Sequence, residues 1–219
     1  MIDDDLTLKG AKAAILAAAG LVFFRYGYAK ATMSEIAAKA GLKKPSLYYY
    51  FPTKEDLFRA VIESKRADFR AGVENILTAN TSARERIARY TLVRFEYFRA
   101  LQALSIADFS VATRNRPVLN EMFQRHAQEE SGWLARLFAD GKKRGEFEIQ
   151  SSARVAETFL HIQQGLRLRY MRDAENPRGE TPSVDQLRRE LLAVAEIFLN
   201  GIQNGDFNQT VQHESQAGT

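Results

Sequence analysis

Residues 32–54 read TMSEIAAKAGLKKPSLYYYFPTK, and this stretch decides the fold. Thr32 and Glu35 have the spacing of a capping box, which predicts a helix beginning at Thr32 and ending at Gly41. A second helix is expected from about Lys44 to Pro52, because Pro45 is tolerated in a first turn. Two short helices joined by a turn that contains glycine have the spacing of a helix-turn-helix.

The second helix of such a motif places its N-terminal residues against base edges in the major groove. Here those residues are 43–50, and they begin with Lys43 and Lys44. Lysine at a helix N-terminus opposes the helix dipole and costs about 0.3–1 kcal/mol. The two lysines are explained if this helix end meets phosphate groups. The alternative is that both extend into solvent and have no function.

Tyr48, Tyr49 and Tyr50 follow on the same helix. Successive helical positions differ by about 100°, so three consecutive rings cannot all enter one core. An outward tyrosine beside lysine suits contacts with phosphates and thymine methyl groups. The alternative is packing in the core, which we expect for one of Tyr48 and Tyr50.

Helix starts on either side of this helix carry two further candidates for phosphate binding. Lys54 follows Thr53 at the start of another predicted helix and again places a cation at a helix N-terminus. The Thr32 hydroxyl could bind phosphate, although capping its own helix is its expected main role.

The charge distribution agrees with a polyanion-binding segment. The chain has 219 residues and a net charge of +4. Residues 7–54 hold eight lysines and arginines and one acid, Glu35, so this segment carries +7 and the remainder carries −3. A basic segment joined to a mildly acidic body is typical of a nucleic-acid-binding module, while the alternative is a solvated basic surface.

The rest of the chain shows helical periodicity without the alternation of strands, so the sequence predicts an all-α protein. Gly27 is expected to end the first helix. Further helices are expected to be separated by a loop at 176–182 and followed by a polar, frayed tail. The predicted helices outside the motif are 8–26, 53–77, 83–104, 105–113, 117–142, 152–172 and 183–202.

Residues 15–58, ILAAAGLVFFRYGYAKATMSEIAAKAGLKKPSLYYYFPTKEDLF, closely resemble the N-terminal domain of the tetracycline-repressor (TetR) family of transcription regulators. The resemblance covers residues 8–61 without a gap and includes Phe23, Gly27 and Leu57 at fixed offsets from the motif. It implies a helix-turn-helix domain at 1–54, a helical ligand-binding and dimerisation domain at 55–203, and a tail at 204–219.

The resemblance also implies roles for individual residues. Those expected to meet bases are Lys44, Pro45, Ser46 and Tyr48, and those expected mainly to hold phosphates are Thr32, Tyr49, Tyr50 and Lys54. Many relatives have serine or threonine where this chain has Lys43, which is expected to add a phosphate contact instead of a cap. The implied partners are a palindromic or near-palindromic DNA operator and a second copy of the chain.

Two apolar stripes near the end of the chain predict the dimer interface. A terminal helix that is apolar nearly all round needs more burial than a monomer of this size provides. Together with the preceding helix it would form a four-helix interface across a two-fold axis. The alternative is that both helices pack on the body of their own chain. The expected interface residues are Phe159, Ile162, Leu191, Val194, Phe198 and Ile202.

An aromatic and polar stripe predicts where a small-molecule effector binds. The candidate lining residues are Phe95, Phe98, Met122, His126 and Trp133, with His126 or Glu130 as the polar anchor. The alternative is that each of these residues belongs to an ordinary core.

Other functional classes have little support. The chain has no cysteine and three histidines, and no metal-ligand spacing, phosphate-binding loop or nucleophile motif is present, so no enzyme activity, cofactor or metal is expected. The longest nearly apolar run, residues 13–24, is shorter than the roughly 20 residues of a membrane span, and we expect a cytoplasmic protein. The sequence therefore predicts a TetR-type regulator, most simply a repressor released by a ligand. The alternatives are a helical ligand-binding or enzymatic protein and a non-specific DNA-binding protein.

Overall fold

The computed structural model describes residues 2–102, 117–174 and 183–203, and within them every regular element is an α-helix. This confirms the all-α class. The helices are α1 Ile2–Lys30, α2 Met33–Lys39, α3 Lys44–Tyr50, α4 Lys54–Thr78, α5 Ala83–Gln102, α6 Pro117–Lys143, α7 Ser152–Ala174 and α8 Val184–Gln203. The helix expected at 105–113, the loop at 176–182 and the tail at 204–219 lie outside the described residues.

The first helix is interrupted where the sequence predicts its end. Gly27 has φ +72° and ψ 163°, values that an L-residue rarely adopts, and its carbonyl accepts a hydrogen bond from the Ala31 N–H at 3.1 Å. Residues 10–30 of α1 are long and apolar enough to cross a membrane by length and composition alone, a test that core helices also pass. Ile15, Ala19 and Phe23 on this helix are fully buried in the core.

Packing divides the chain into two compact units. Among the described residues, unit 1 contains 2–70, 96–102 and 117–121, and unit 2 contains 71–95, 122–174 and 183–203. The boundary therefore falls inside α4, between Arg70 and Ala71, and α4, α5 and α6 each contribute residues to both units. The domain limits drawn from the sequence, 1–54 and 55–203, stay a prediction.

Unit 1 holds the two short helices against an aromatic core. The Phe23 and Phe58 rings meet edge to face with centroids 5.0 Å apart, and Tyr28 packs on Phe58 at 4.6 Å. Ile36 from α2 and Leu47 from α3 are fully buried. One apolar anchor on each helix thus fixes its orientation and decides which of its residues face outward.

Unit 2 has its own aromatic core. Phe138, Phe159 and Phe198 lie with ring centroids 5.3–6.2 Å apart and join α6, α7 and α8. The carboxylate of Glu146 accepts hydrogen bonds from the first two N–H groups of α5 at 3.0 and 3.2 Å. These donors have no partner within a helix, so Glu146 acts as a cap supplied from a distant part of the chain.

Candidate nucleic-acid interface

The capping box predicted at the start of α2 is present. The Thr32 hydroxyl oxygen accepts from the Glu35 N–H at 3.2 Å, while the Glu35 carboxylate accepts from the Thr32 N–H at 2.9 Å and its hydroxyl at 2.7 Å. The hydrogen bond from the Thr32 side chain holds the pKa of Glu35 below its ordinary value. Glu35 is the only acid in residues 7–54, and its carboxylate accepts two hydrogen bonds from Thr32.

The turn after α2 is closed by backbone hydrogen bonds. Gly41 has φ +69°, and its N–H donates to the Ala38 carbonyl at 3.2 Å. The next residue, Leu42, donates to the Ala37 carbonyl at 2.9 Å. This is the glycine helix ending in which the last carbonyls of a helix find partners. It turns the chain directly into α3.

The start of α3 has exposed cations in place of a cap. Lys43 is the N-cap residue, and its side chain makes no capping hydrogen bond. Lys44, Pro45 and Ser46 follow in the first turn, and all four residues are exposed. Leu47 is fully buried and anchors the helix from the opposite side. The N-terminal turn of α3 therefore presents basic and polar groups to the outside.

The three tyrosines differ in exposure, and none of them is fully buried. Tyr49 is 78% exposed and Tyr48 is 40% exposed, whereas Tyr50 is half-buried. The Tyr49 and Tyr50 rings meet edge to face at 5.4 Å, and the Lys44 ammonium lies 5.9 Å from the centroid of the Tyr48 ring. Exposed cationic and aromatic side chains thus lie close together on this short helix. We call its exposed residues the α3 face: Lys43, Lys44, Pro45, Ser46, Tyr48 and Tyr49.

Lys54 has contacts within the protein that the sequence did not predict. Its Nζ donates to the carbonyl oxygens of Tyr28 at 2.8 Å, Ala31 at 3.0 Å and Ala29 at 3.3 Å. The same ammonium lies 4.6 Å from the centroid of the Tyr28 ring. Lys54 therefore caps the end of α1, and its contact with a DNA phosphate stays a prediction.

Sequence reasoning missed Tyr28 as part of this site. Its ring stacks on Phe23 at 6.0 Å and packs on Phe58, while its carbonyl accepts from Lys54. An apolar residue directly after a C-cap glycine often packs back on its helix, and this was the available signal. Tyr28 thus joins α1 to α4 within unit 1.

The α3 face has the properties of a polyanion-binding surface. Lys43 and Lys44 supply positive charge, and Ser46 and the tyrosine hydroxyls supply neutral hydrogen-bond donors. Side chains of these kinds contact phosphates and base edges in DNA complexes, where phosphate contacts set position and base contacts set specificity.

Comparison with known proteins identifies the family. Residues 15–61 match the family described as bacterial regulatory proteins, tetR family. A transcriptional regulator of Cytophaga hutchinsonii, known from its crystal structure, is 33% identical over 86% of this chain and 96% of its own, with a TM-score of 0.77. This chain belongs to the TetR family. It is a helix-turn-helix transcription regulator.

Two curated relatives are also regulators. The HTH-type transcriptional activator FasR of Mycolicibacterium smegmatis is 36% identical over 83 residues, which cover 38% of either protein. The uncharacterized HTH-type transcriptional regulator YfiR of Bacillus subtilis is 28% identical over 71% of this chain and 77% of its own. The match to FasR thus spans well under half of that relative.

The effector residues predicted for this TetR-family regulator are all buried. Phe95, Met122, His126 and Trp133 belong to unit 2, whereas Phe98 belongs to unit 1. The His126 ring meets a neighbour that the sequence pattern did not indicate, Phe123, edge to face at 5.8 Å. Their role in binding an effector stays a prediction.

Glu130, the alternative polar anchor, belongs to a buried network in unit 2. It accepts from the Arg94 Nε at 2.7 Å and from the Tyr90 hydroxyl at 3.2 Å. Burial alone would lower the pKa of Arg94, but the charge and hydrogen bond of Glu130 outweigh this and hold that pKa above its ordinary value. Glu130 is therefore half of a buried ion pair, and an effector that used it would have to compete with Arg94.

The predicted dimer residues separate into two groups. Phe159, Leu191 and Ile202 are buried in the core of their own protomer. Such residues have almost no surface left for a partner in this chain, and their place in a dimer interface stays a prediction. Ile162 is 37% exposed, and Val194 and Phe198 are half-exposed. These three keep an outward surface.

Two exposed apolar residues that the sequence did not predict lie on the same helices, α7 and α8. Leu168 on α7 and Ile197 on α8 are 55% and 69% exposed. For Ile197 a signal was present in the sequence, because it lies three residues after Val194 and so near it on the helix surface, but the all-round apolarity of α8 hid which side faces outward. Contiguous exposed apolar surface is typical of an interaction site.

Proposed function

We propose that this TetR-family regulator is a cytoplasmic repressor that binds a palindromic operator as a homodimer and is released by a small-molecule effector. The observation that carries the DNA-binding part is the α3 face, where Lys43 and Lys44 occupy a helix start that stability alone would give to a capping or acidic residue. The cost to the helix is offset when these groups meet DNA phosphates.

Roles on the α3 face follow from exposure and chemistry. Lys44 is suited to donate to guanine O6 and N7, and Pro45, Ser46 and Tyr48 are placed to meet base edges and thymine methyls. The expected phosphate contacts are made by Thr32, Lys43, Tyr49 and Tyr50, although Thr32 also caps α2. Lys54 has no part in this proposal.

The dimer is proposed to form through the exposed apolar side of α7 and α8. Ile162, Leu168, Val194, Ile197 and Phe198 supply this surface. A two-fold axis would bring two copies of each helix together in a four-helix interface. The two α3 helices would then enter successive major grooves about 34 Å apart.

The release mechanism is proposed to act through α4. This helix has 25 residues, which correspond to about 37 Å, and it contributes to both packing units. An effector in unit 2 that favours another orientation of α4 would change the spacing of the two α3 helices. Coupling of this kind typically amounts to about 1–3 kcal/mol.

Selection of bound duplexes from a random pool by the purified full-length protein tests the DNA-binding part. The double variant Lys44→Ala, Tyr49→Ala removes one cation and one aromatic ring from the α3 face. Lys65→Ala is the matched control, because Lys65 is exposed on α4 and pairs only loosely with Asp68 at 3.9 Å. We expect an enriched palindrome with wild type and Lys65→Ala and none with the double variant.

Other results would favour the alternatives. Salt-sensitive binding without an enriched sequence would indicate a non-specific DNA-binding protein. No binding by a folded dimer, even after unfolding and refolding to remove any bound ligand, would contradict a DNA-binding role for the α3 face. Operator affinity that is unchanged by every compound tested would contradict the release mechanism.

A further inference from the structure

A polar cleft in unit 2 lies apart from every residue assigned to DNA, effector or dimer. It has a volume of about 350 Å³ and lies among the end of α4, the residues that follow it, the first turns of α5 and the last turns of α6. Its lining residues are Leu77, Thr78, Ala79, Asn80, Arg86, Arg136, Leu137, Asp140 and Arg144. We call it the arginine cleft.

The charge of the arginine cleft is strongly positive. Arg86, Arg136 and Arg144 face one carboxylate, that of Asp140, so the lining carries a net charge of +2. Asp140 accepts a hydrogen bond from Arg86 and forms an ion pair with the Arg144 Nε at 3.0 Å. The hydrogen bond from Arg86, followed by the charges of Arg86, Arg144 and Lys143, holds the pKa of Asp140 below its ordinary value. The carboxylate is therefore ionised at neutral pH and balances only one of the three arginines.

Arg86 has a hydrogen-bond donor that no contact within the described protein uses. It is only 4% exposed, and its two terminal nitrogens donate to Asp140 and, at 3.5 Å, to the Leu77 carbonyl. Its Nε is buried and makes no hydrogen bond with any residue that the structure describes. A buried donor without an acceptor costs about 1–3 kcal/mol. Arg86 therefore has one unused donor beside the cleft, and its Nε is closed to solvent.

Donors that line the cleft are open to an oxyanion. Arg144 forms an ion pair with Asp140 through Nε and donates from Nη1 to the Thr81 carbonyl at 3.1 Å, and these contacts do not use its Nη2. Asn80 and Arg136 are exposed at the edge of the cleft. Several donors with a surplus of positive charge form the arrangement that binds oxyanions.

We propose that the arginine cleft binds a small dianion of the phosphate or phosphomonoester class. The net charge of +2 matches a dianion, and arginine forks match the geometry of phosphate oxygens. A volume of about 350 Å³ exceeds that of phosphate alone and accommodates a small organic group attached to it. The site is separate from the predicted effector residues, and its occupancy does not depend on whether the protein binds DNA.

Isothermal titration calorimetry of the full-length protein tests this proposal in phosphate-free buffer at constant ionic strength. The titrants are inorganic phosphate, glycerol phosphate and, as a dianion whose charges are on carboxylates, succinate. We expect one site per chain with a Kd of about 1 mM or lower for at least one phosphate titrant. Preference for glycerol phosphate would indicate a phosphorylated metabolite as the natural ligand, and preference for inorganic phosphate would indicate the free ion.

Variants distinguish the cleft from general attraction to a basic protein. Arg136→Gln and Arg144→Gln should each weaken binding about tenfold, because each removes a charge-assisted hydrogen bond. Asp140→Asn should strengthen binding severalfold, because it raises the charge of the lining to +3. Arg154→Gln is the matched control: it removes the same charge from an exposed position on α7 outside the cleft, and it should leave the Kd unchanged.

Several outcomes would overturn the proposal. These are no heat of binding from any phosphate titrant, tighter binding of succinate than of both phosphates, and equal losses in Arg136→Gln and Arg154→Gln. Helix content by circular dichroism accompanies each titration, so that lost binding is not confused with unfolding. If Arg144→Gln or Asp140→Asn unfolds, Arg136→Gln still decides the matter against Arg154→Gln, because Arg136 is exposed and its loss leaves the Arg86–Asp140 pair in place.

Discussion

Replacement of Lys54 by methionine separates two roles that the sequence and the structure give to this residue. Methionine keeps the apolar stem and removes the ammonium. In the structure, the ammonium bonds three carbonyls at the end of α1 and lies over the Tyr28 ring. If it instead held a DNA phosphate, its loss would affect DNA binding and leave folding unchanged.

The expected loss of stability follows from these contacts. The bonds at 2.8 and 3.0 Å have ordinary lengths, and the bond at 3.3 Å is long. Each ordinary bond contributes about 0.5–1.5 kcal/mol, and a cation over an accessible ring about 0.5–1 kcal/mol. Lys54 is half-exposed, so the lower part of each range applies. Lys54→Met should therefore lower the free energy of unfolding by about 2 kcal/mol.

Urea unfolding with two probes locates the effect. Circular dichroism reports all helices, and fluorescence of the single tryptophan, Trp133, reports unit 2. The loss should shift the dichroism transition and should appear first in hydrogen exchange of residues 24–36. Lys44→Met is the control, because Lys44 opposes the dipole of α3 and its removal should leave stability unchanged or slightly raised.

DNA binding measured against salt concentration distinguishes the two roles. Each phosphate contact adds about one to the slope of log affinity against log salt. Lys43→Met, which removes an expected phosphate contact, should lower the slope by about two per dimer, and Lys54→Met should leave it unchanged under conditions where the protein is folded. A reduced slope for Lys54→Met at unchanged stability would refute the capping role and restore the phosphate contact.

Three further perturbations test local structure. Glu130→Gln should lower the free energy of unfolding by about 3–5 kcal/mol, because it leaves the buried Arg94 without its counter-charge. A loss below about 1 kcal/mol in urea unfolding would contradict this. Gly41→Ala should cost about 1–2 kcal/mol in thermal unfolding, since φ is +69° although the space for a Cβ is open; no loss would argue against that backbone conformation. Thr32→Ala should raise the pKa of Glu35 towards its ordinary value in an NMR titration, because the hydrogen bond from the Thr32 side chain is the main cause of the lowered pKa. An unchanged pKa would show that the capping box does not form in solution.

The features predicted correctly from the sequence are those that local chemistry controls. Thr32 and Glu35 interact across one helical turn, and Gly41 takes a conformation that few other residues tolerate. Such signals act over a few residues, so the sequence alone was enough to place the helix starts and turns near the motif. The outward position of Tyr49 followed from helical geometry in the same way.

The features that could not be predicted depend on contacts between distant residues. Lys54 bonds carbonyls 23–26 residues away, and its position at a helix start gave no sign of them. Phe159, Leu191 and Ile202 are as apolar as interface residues, yet they fill the core of their own unit. Apolarity predicts burial but does not say whether the covering surface belongs to the same chain or to a second copy.

The two helices of the motif show how function opposes local stability. Both have seven residues, a length at which a helix is marginal without tertiary contacts. α2 has a complete capping box, an acid in its first turn and a lysine in its last. α3 begins with an uncapped Lys43 and a lysine in its first turn, so its own start contributes little to its stability. It is held by buried Leu47 and by the turn at Gly41, which leaves its first turn free to be chosen for contact with DNA. Function is expected where a helix departs from the rules of capping and charge placement while neighbouring helices follow them. Here that place is the first turn of α3.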